Sequence, residues 1–582
     1  MVYLKKSSYN ESMHYMVTVI LLVASFQAGA RDTPILVGQR AQPVAAKNAM
    51  VVTSHHLATK IALDILEKGG NAVDAAVTAG FALAVAQPRS GNIGGGGFML
   101  YSPSDSDEVV AIDYREKAPA QAFEKMFLDK KGEVDKNLKR FSHLSAGVPG
   151  TVAGLLLALE KYGSLGRDEI LAPAIKLAKN GFKIPARFVK GIEKKQKILA
   201  KWPTSKNKFF KKDGRLYKQG ELYKQPDLAK TLQLIADFGT RGFYEGETAR
   251  LIEKQMLQYD GLITKEDLKN YTAIVRKPIH STYRGFDIYS MAPPSSGGTH
   301  IVQILNMLEN YSISKYGHNS ARTIHLMSEA MRRAYADRAE FMGDADFIKV
   351  PLAGLAAKTY AAKLIKNINP AKATPSAEIK AGFPKTYESS ETTHFSIVDK
   401  DGNAVSNTYT LNFSYGSGIV VAGAGFLLNN EMDDFSAKPG AANAYGLIGG
   451  RANRIEPNKR MLSSMSPTIV KRHGKNFLVT GSPGGSRIIS TTLQVIMNVI
   501  DHKMNIQSAV NAPRVHHQWW PDEIRIEQGI SPDTISLLEN MGHKVVQKQA
   551  MGGSQSILLD SEKGVLYGAA DPRQSTAKAM GF

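Results

Sequence analysis

Two short β-rich runs joined by a polar turn constrain the fold of this 582-residue chain more than any other feature. Residues 393–398 read THFSIV and residues 404–411 read AVSNTYTL. The Asp401-Gly402 pair between them is the strongest short signal for a β-hairpin, since both residues tolerate the backbone angles of a tight turn. The last third of the chain is therefore predicted to contain antiparallel β-structure.

The register of this hairpin brings polar residues together at the end of a strand. If Asp401-Gly402 forms a two-residue loop, Thr392 lies opposite Leu411, between the positions of Thr410 and Asn412. Two hydroxyls and an amide then meet in one neighbourhood, within a residue of register error. We interpret this cluster as a candidate site.

A second hairpin leads into a glycine-rich loop. Residues 466–471 and 476–480 flank a His473-Gly474 turn, and the loop 481–486 (GSPGGS) precedes an apolar helix predicted at 487–501. A glycine pair just before a helix can direct free N–H groups at one point and so bind an anion or an oxyanion. A plain turn and helix cap would explain the same residues.

The composition and the absence of two motifs exclude several kinds of catalytic site. The chain has no cysteine, which excludes disulfides, a cysteine nucleophile and thiolate metal sites. Gly-x-Ser-x-Gly and His-Glu-x-x-His are absent, and the scattered histidines, including His516-His517, favour structural roles, so we predict neither a metal nor a cofactor. A threonine nucleophile remains, and the free α-amine of an N-terminal threonine can serve as its base. For Thr392 this requires cleavage after Glu391, where residues 369–390 form an aperiodic segment predicted to be a mobile surface loop.

The N-terminus has the pattern of a secretory signal peptide. Lys5 and Lys6 precede an apolar run at 16–26, and Ala28-Gly29-Ala30 supplies a small-x-small cleavage site. The run is too short to span a bilayer, and no later stretch reaches eighteen apolar residues, so we expect no transmembrane span. An uncleaved anchor is the alternative. We expect a signal peptide at 1–30, a mature chain from Arg31, and a periplasmic or secreted location.

The formal net charge of +20 is concentrated in one segment. Between Lys183 and Lys218 there are thirteen Lys or Arg residues against two acids. Lysine dominates over arginine and no nucleic-acid-binding motif accompanies the segment, so we predict no nucleic-acid partner and interpret the charge as a general attraction for anions.

Periodicity predicts several elements of the first two thirds of the chain. Residues 56–68 predict an amphipathic helix and residues 72–86 a buried, alanine-rich one. The glycine run 91–97 lacks the Gly-Lys-Ser/Thr of a phosphate loop, and we interpret it as allowing close approach of backbones. Helical patterns fill residues 150–238, and residues 283–291 predict a single strand.

Several runs, in order along the chain, resemble the bacterial γ-glutamyltranspeptidases. They are 92–99 (NIGGGGFM), 113–116 (DYRE), 293–298 (PPSSGG), 392–396 (TTHFS), 398–405 (VDKDGNAV), 408–412 (TYTLN), 429–436 (NNEMDDFS), 462–468 (LSSMSPT) and 481–486 (GSPGGS). The resemblance covers essentially the whole mature chain.

The resemblance implies an α+β fold of the N-terminal nucleophile hydrolase type, an αββα sandwich of two stacked antiparallel sheets between helix layers. The precursor would cut itself between Glu391 and Thr392 into a large subunit, 31–391, and a small catalytic subunit, 392–582, which form one intertwined heterodimer. It also implies that the Thr392 hydroxyl attacks glutathione or another γ-glutamyl compound. Water, an amino acid or a peptide would then resolve the acyl-enzyme.

The resemblance also assigns roles to individual residues. Thr410 would hydrogen-bond the nucleophile, and the amides of Gly484 and Gly485 would form the oxyanion hole. The substrate's α-carboxylate would bind Arg115, Ser463 and Ser464, and its α-ammonium would bind Asn412, Glu431 and Asp434. Glu431 is a departure, because many bacterial members have glutamine there. Residues 439–450, with Tyr445 as the single aromatic, resemble a lid over the pocket; an ordinary surface loop is the alternative.

Other functions fit parts of this pattern. A related acylase of the same fold, of the glutaryl cephalosporin or poly-γ-glutamate-cleaving type, would share the nucleophile but not the ammonium-binding groups. A secreted solute-binding protein without turnover would remain a single unprocessed chain.

Overall fold

The computed structural model describes residues 42–384, 394–438, 440–441, 443 and 445–582. The predicted signal peptide at 1–30, the mature start at Arg31 and the predicted cleavage pair Glu391 and Thr392 lie outside the described residues.

Most strands belong to two large sheets. The strands are β1 (Val44–Ala46), β2 (Met50–Thr53), β3 (Gly96–Ser102), β4 (Val110–Tyr114), β5 (Phe182–Lys183), β6 (Leu222–Tyr223), β7 (Ile274–Arg276), β8 (Ile279–Tyr283), β9 (Phe286–Ser290), β10 (Phe395–Val398), β11 (Ala404–Thr410), β12 (Thr468–Arg472), β13 (Lys475–Thr480), β14 (Val515–His516), β15 (Ile524–Ile526), β16 (Val545–Gln547), β17 (Gln555–Asp560), β18 (Val565–Ala570) and β19 (Lys578–Gly581). One seven-stranded sheet has the order β1-β18-β17-β13-β12-β9-β8 and the other β19-β2-β10-β11-β3-β4-β7. Neighbouring strands in both sheets are antiparallel. Two small sheets, β14-β15-β16 and β5-β6, lie apart from them.

Helices cover the outer faces of the two large sheets. They are α1 (His56–Glu67), α2 (Ala72–Ala86), α3 (Lys136–Phe141), α4 (Thr151–Tyr162), α5 (Arg167–Asn180), α6 (Ala186–Leu199), α7 (Pro203–Phe209), α8 (Pro226–Phe238), α9 (Arg241–Tyr244), α10 (Gly246–Gln258), α11 (Lys265–Lys269), α12 (Gly297–Leu308), α13 (Ile313–Tyr316), α14 (Ala321–Phe341), α15 (Leu352–Ala356), α16 (Lys358–Leu364), α17 (Arg487–Ile500), α18 (Ile506–Asn511) and α19 (Pro532–Asn540). No helix among the described residues is both long and apolar enough to cross a membrane.

Successive side chains of a strand point to opposite faces of the sheet, so the two sheets form one apolar core between them and one on each outer face. Met50 and Val52 of β2 pack between the two sheets with residues such as Ile469 of β12, whereas Val51 faces the other way. That outer face packs against α1, α2 and α4, and the outer face of the other sheet packs against α12, α14 and α17. This is the predicted αββα sandwich.

The helix predictions for residues 56–68 and 72–86 are confirmed by α1 and α2. Asn71 caps α2: its side chain accepts from the N–H groups of Val73 and Asp74, and the Asp74 carboxylate accepts from the Asn71 N–H. Every residue of α2 is buried, because the helix lies between the sheet and its helical neighbours. The helical pattern over 150–238 holds for α4 to α8, interrupted by the short strands β5 and β6.

The prediction of one strand over residues 283–291 was wrong. The chain turns at Arg284 and Gly285, which have φ angles of 52° and 81°, and forms the hairpin β8–β9. The guanidinium of Arg284 donates to the carboxylate of Asp501 and to the carbonyl of Tyr311 at 2.7 Å each. These tertiary bonds hold a non-glycine residue in the left-handed region.

The first predicted hairpin forms from β10 and β11, but the predicted two-residue loop was wrong. Phe395 pairs with Asn407 and Val398 with Ala404, one residue away from the predicted register. The connection comprises residues 399–403, because the Asp399 carboxylate accepts from the N–H groups of Asp401 and Asn403 at 3.0 Å each. The second hairpin, β12–β13 with the His473-Gly474 turn, is confirmed.

The described part of the predicted mobile loop is held by specific contacts. Thr374 donates its hydroxyl to Glu329 at 2.7 Å, Ser376 donates its N–H to Asp522 at 2.7 Å, and Gly382 donates to Asp337 at 2.8 Å. Residues 369–384 are therefore anchored to α14 and to the segment around 522, while residues 385–390 lie outside the described chain.

Candidate active site

All the predicted site residues that the structure describes line one pocket of about 750 Å³. They are Arg115, Thr410, Asn412, Glu431, Asp434, Tyr445, Ser463, Ser464, Gly484 and Gly485. They come from six separate stretches of chain, so the fold itself assembles the pocket. His394, the first described residue of the predicted small subunit, also lines it.

A buried cluster of one guanidinium and three carboxylates contributes Arg115, Glu431 and Asp434 to the lining of the pocket. Arg115, directly after β4, is fully buried. Its Nη1 lies 2.7 Å from Glu431 Oε2 and 3.3 Å from Glu116 Oε2, and its Nη2 donates to Asp434 Oδ2 at 2.7 Å. Glu431 and Asp434 lie on one 3-10 turn, Glu431–Asp434, which holds both carboxylates against the same guanidinium.

Burial and mutual repulsion shift the pKa values of the carboxyl groups in this cluster. Burial raises the pKa of Glu116 to about 7, although Arg115 opposes the shift. Burial, together with the charges of Glu116 and Asp434, raises the pKa of Glu431 well above its ordinary value. Burial also raises the pKa of Asp434. Burial thus makes it harder for all three carboxyl groups to be ionised at once, and the cluster offers both a cation and several acceptors to a ligand that is itself a zwitterion.

The Ser463-Ser464 turn is built on the PPSSGG segment. Ser463 donates its N–H to the Pro294 carbonyl at 2.8 Å and accepts from the N–H and the hydroxyl of Ser296 through its own carbonyl. A Cβ on Gly297 would come within 2.3 Å of Ser466 Oγ, so only glycine permits this contact. The segment thus fixes Ser463 and Ser464 in the lining of the pocket that also contains Arg115.

Arg338 is a pocket residue that the sequence did not reveal. It lies on α14, donates its Nε to Ser296 Oγ at 2.8 Å and its Nη2 to Ser464 Oγ at 3.2 Å, and is almost fully buried. Burial lowers its pKa to about 10. Glu116 was also missed as a partner of Arg115. Neither residue carries a local signal, because each acts through contacts with residues far away in the chain.

Thr410 and Asn412 stand at the end of β11. The Asn412 N–H donates to Thr410 Oγ1 at 2.8 Å, so the threonine hydroxyl hydrogen is left to donate elsewhere. Asn412 has a φ of 72°, and its side-chain amide donates to the Asn430 carbonyl at 3.0 Å. The glycine run packs directly behind this point: a Cβ on Gly95 would lie 1.9 Å from the Thr410 carbonyl oxygen, as the close-approach interpretation predicted.

The glycine loop before α17 also lines the pocket. Gly484 and Gly485 have φ angles of 145° and 61°, a combination that glycine alone adopts without strain. Their carbonyls accept from Arg487 and Ile488 in the first turn of α17. Within the part of the chain that the structure describes, neither of their N–H groups has a hydrogen-bond partner. The loop therefore has donors available for an anionic group.

Tyr445 covers the glycine loop. A Cβ on Gly485 would meet the Tyr445 ring at 2.4 Å, and the Tyr445 hydroxyl donates to the Asn412 carbonyl at 3.0 Å. The Tyr445 carbonyl accepts from Gln518 Nε2 at 3.1 Å, and Gln518 Oε1 accepts from Ser486 at 2.7 Å. Gln518 thus ties the tyrosine segment to the glycine loop.

His394 is not available as a base. Its Nε2 lies 2.5 Å from the carbonyl oxygen of Gln555, which can only accept, so Nε2 carries the proton. Its Nδ1, 3.1 Å from Ser406 Oγ, is then the acceptor. Burial lowers the pKa of this imidazole to about 3. Both nitrogens are occupied, and the ring remains neutral.

One cluster outside the pocket has the composition of a metal site. Ligand atoms of His325, Glu329 and His543 lie within 4.8 Å of one another. Glu329, however, is paired with Arg332 and with Arg333, and His325 is bonded through both nitrogens, to His543 and to the Asn369 carbonyl. These ligands are already engaged, so the cluster fits a structural role.

A family profile and the sequences of known proteins match nearly the whole described chain. The sequence profile of the family described as Gamma-glutamyltranspeptidase matches residues 58–581. The chain is 53% identical over 541 residues to the glutathione hydrolase proenzyme of Escherichia coli (strain K12), covering 93% of each chain.

Solved structures show the same fold. A cephalosporin acylase from Bacillus halodurans superposes with a TM-score of 0.84 at 27% identity, covering 95% of this chain and 98% of that one. A γ-glutamyltranspeptidase chain from Helicobacter pylori has a TM-score of 0.56 at 50% identity, covering 57% of this chain and 94% of that one.

Proposed function

Because the chain belongs to the γ-glutamyltranspeptidase family, we propose that the pocket described above is the site at which it transfers γ-glutamyl groups. The protein is a γ-glutamyltransferase and glutathione hydrolase made as a proenzyme. One observation carries the assignment of the site: a buried cluster suited to an amino-acid zwitterion and a glycine loop with available donors line the same pocket.

Thr392 is proposed as the nucleophile and the Glu391–Thr392 bond as the processing site. Both residues lie outside the described chain, so the support comes from their neighbourhood. His394 lines the pocket, and two residues of chain reach about 7 Å at most. Cleavage would give Thr392 a free α-amine as its base. His394 does not fit this role, because its imidazole is neutral and both ring nitrogens are engaged in hydrogen bonds.

The proposed reaction proceeds through an ester. The Thr392 hydroxyl oxygen attacks the γ-carbonyl carbon, the α-amine takes the hydroxyl proton, and the C–N bond breaks as that proton passes to the leaving amine. Water then splits the ester and releases glutamate, or an amino acid or peptide amine takes the γ-glutamyl group. Thr410 would orient the nucleophile, and the N–H groups of Gly484 and Gly485 would stabilise the tetrahedral oxyanion.

The charges of the γ-glutamyl donor match those of the buried cluster around Arg115. Arg115, with Ser463 and Ser464, would bind the α-carboxylate, because a guanidinium can donate two parallel hydrogen bonds to it. Asn412, Glu431 and Asp434 would bind the α-ammonium. Since Arg115 lies 2.7 Å from both Glu431 and Asp434, the zwitterion would bind among groups that already pair with one another.

Tyr445 is proposed to act as a lid. Its hydroxyl bond to the Asn412 carbonyl and its ring against Gly485 support a position over the acyl group. A closed lid would limit access of water and so favour amine acceptors. The finer organisation is likewise proposed: a signal peptide at 1–30, a large subunit of residues 31–391, a small subunit of residues 392–582, and a periplasmic or secreted location.

An acylase that takes glutaryl groups is the alternative within this fold. A glutaryl group lacks the ammonium, and it would leave Glu431 and Asp434 without a cationic partner from the substrate. We therefore expect p-nitroaniline release from the γ-glutamyl anilide and little from the glutaryl anilide. Faster release from the glutaryl compound would favour the acylase.

Substitution at Thr392 tests the mechanism. Thr392→Ala is expected to abolish self-cleavage, and Thr392→Ser to retain part of both cleavage and turnover, because serine keeps the oxygen but lacks the methyl group that restricts χ1. Thr393→Ala, at the adjacent threonine, is the matched control and should still be processed.

The two roles of Thr392 can be separated by producing residues 31–391 and 392–582 as separate chains, the second beginning with alanine. The reassembled variant should lose activity on γ-glutamyl-p-nitroanilide by at least about 10³-fold. A wild-type rate in that variant would show that Thr392 is not the nucleophile.

A further inference from the structure

Arg338 of α14 is a cation of the pocket to which the proposed reaction gives no role. Its side chain is almost fully buried and lines the pocket together with Ser464. Its Nη2 donates to Ser464 Oγ at 3.2 Å, and its Nε donates to Ser296 Oγ at 2.8 Å. The Ser296 hydroxyl in turn donates to the Ser463 carbonyl at 2.8 Å. One guanidinium is therefore connected to both residues of the Ser463-Ser464 turn.

The bond from Arg338 determines how the Ser464 hydroxyl can act. A serine oxygen that accepts from a guanidinium keeps its own hydrogen for donation to another group. Among the described residues, none accepts a hydrogen bond from this hydroxyl. Since Ser464 lines the pocket, its hydroxyl can donate to an anionic group that binds there.

Arg338 also has a positive charge that no carboxylate neutralises directly. It forms no ion pair with any residue that the structure describes, whereas Arg332 and Arg333 of the same helix both pair with Glu329. The carboxylate of Asp337, the preceding residue, accepts instead from a glutamine, a tyrosine and a backbone N–H. Burial lowers the pKa of Arg338 to about 10, so the guanidinium is still cationic at neutral pH.

The cluster around Arg115 has an excess of acids that such a cation would offset. Three carboxylates, those of Glu116, Glu431 and Asp434, lie within 3.3 Å of Arg115. A bound γ-glutamyl group adds one carboxylate and one ammonium, so acids still outnumber cations, and their repulsion is strong in a buried site. The charge of Asp434 acts on Arg338, which places the second guanidinium within electrostatic reach of this cluster.

We propose that Arg338 is a positioning residue for the γ-glutamyl donor: it holds the Ser464 hydroxyl as a hydrogen-bond donor to the substrate's α-carboxylate and supplies a second positive charge beside that group. This inference rests on the proposed function and deepens it. It assigns to Arg338 the discrimination against donors whose α-carboxyl group is blocked as an uncharged amide.

Two donors that differ at one group test the proposal. They are γ-glutamyl-p-nitroanilide and its α-carboxamide, which keeps the ammonium and the scissile bond but lacks the negative charge. The wild-type enzyme is expected to have the higher kcat/KM for the carboxylate donor. In Arg338→Met the ratio of the two kcat/KM values should fall about tenfold, as the loss of a hydrogen bond to a charged group predicts. Arg338→Lys keeps the charge but not the planar set of donors, so its ratio should lie between these values.

A double-mutant cycle tests whether Arg338 acts through Ser464. Residues that act through a shared contact have non-additive effects. Arg338→Met should therefore lower the ratio by a smaller factor in the Ser464→Ala background than in the wild-type enzyme. A purely structural role of Arg338 would lower kcat/KM for both donors alike and leave the ratio unchanged. Full additivity of the two substitutions, or an unchanged ratio, would overturn the proposal.

The matched control is Arg322→Met, because Arg322 lies on the same helix but is exposed and is not among the residues that line the pocket. Its ratio should equal that of the wild type, and an equal fall in this control would also contradict the role of Arg338. If Arg338→Met does not fold, Arg338→Lys decides, and a wild-type ratio in that variant would overturn the proposal. Absence of turnover with both donors in the wild-type enzyme would instead overturn the proposed function on which the inference rests.

Discussion

Arg115 combines full burial with contacts to three carboxylates, and this makes its shape as important as its charge. Two of its nitrogens reach different acids at 2.7 Å while its Nε donates to the Met461 carbonyl at 3.2 Å. A lysine ammonium is a compact point charge and does not reproduce this planar set of donors. The residue identity is therefore constrained by the arrangement of its neighbours.

Arg115→Lys is expected to raise KM for γ-glutamyl donors by about 10- to 100-fold, equivalent to about 1–3 kcal/mol for charge-assisted hydrogen bonds. Measurement of KM for glutathione checks this expectation. Arg215→Lys, at a guanidinium 74% exposed and paired only at the surface with Asp213, is the matched control and should leave KM unchanged. An unchanged KM in Arg115→Lys would remove Arg115 from the donor pocket.

Glu431 gives the pocket a pH dependence whose sign follows from its burial. Burial, with the charges of Glu116 and Asp434, raises the pKa of Glu431, and Arg115 opposes the shift. Below that raised pKa the side chain is neutral and resembles glutamine; above it, the carboxylate attracts the substrate ammonium. The ratio of wild-type kcat/KM to that of Glu431→Gln should be near one below this raised pKa and rise about fivefold as the pH increases through it.

Comparison of the two pH profiles on γ-glutamyl-p-nitroanilide measures this ratio directly, because the titration of the substrate is the same for both enzymes. Glu160→Gln, at the exposed end of α4, is the control and should give a flat ratio. A ratio for Glu431→Gln that stays the same across the whole pH range would contradict the titration of Glu431 in the pocket.

At the scale of elements, the glycine run 94–97 allows the backbone to pack closely against the end of β11, where Thr410 lies. The run from Gly94 to Gly97 passes so close to β11 and its neighbours that a Cβ on Gly95 would lie 1.9 Å from the Thr410 carbonyl oxygen. The sequence indicated close approach but not its partner. The partner is Thr410, more than three hundred residues later, which only the pairing of β3 with β11 brings near.

Gly95→Ala is expected to destabilise the protein by about 3 kcal/mol or more, because the new Cβ would clash with the backbone of Thr410, which can shift only at a large cost in free energy. Thermal unfolding and the extent of cleavage into two chains report the effect. Gly166→Ala is the matched control, since its Cβ would contact only the movable end of Asp168. Equal unfolding temperatures for Gly95→Ala and the wild type would contradict the close-packing argument.

At the scale of the whole molecule, the two segments on either side of residue 391 are interleaved. In one sheet β2 lies between β19 and β10, and β11 pairs with β3; in the other β1 pairs with β18, and β12 with β9. Each proposed subunit therefore completes hydrogen-bond ladders of the other, and separating them would expose the core between the sheets.

The mature protein is expected to run as two bands on a denaturing gel, the smaller beginning Thr392-Thr393-His394, and as one species in gel filtration. It should also unfold in a single transition, because neither piece contains all the strands of either seven-stranded sheet. N-terminal sequencing and urea unfolding check these points. Another start for the small chain, or dissociation into two folded pieces in native buffer, would contradict the proposed processing or the interleaving.

The sequence by itself determined the local elements of this protein and the types of residue in its pocket. Short-range patterns predict the capped, apolar helix at 72–86, the two hairpins and the glycine loop before α17. They suffice because caps, turns and periodicity involve residues only a few positions apart. Matching motifs then indicated which side chains meet, although spacing alone left many candidates. The predicted hairpin register was wrong by one residue, since Asp399 closes a longer turn through its own side chain.

The tertiary structure alone decided how charges are distributed in the pocket. Glu116 joins Glu431 and Asp434 around Arg115, and Arg338 donates to Ser464. Both arrangements are contacts between segments that are distant in the sequence. Electrostatic pairing and burial depend on distances across the fold, and sequence separation carries almost no information about them. The left-handed turn at Arg284, held by bonds to Asp501 and Tyr311, has the same origin.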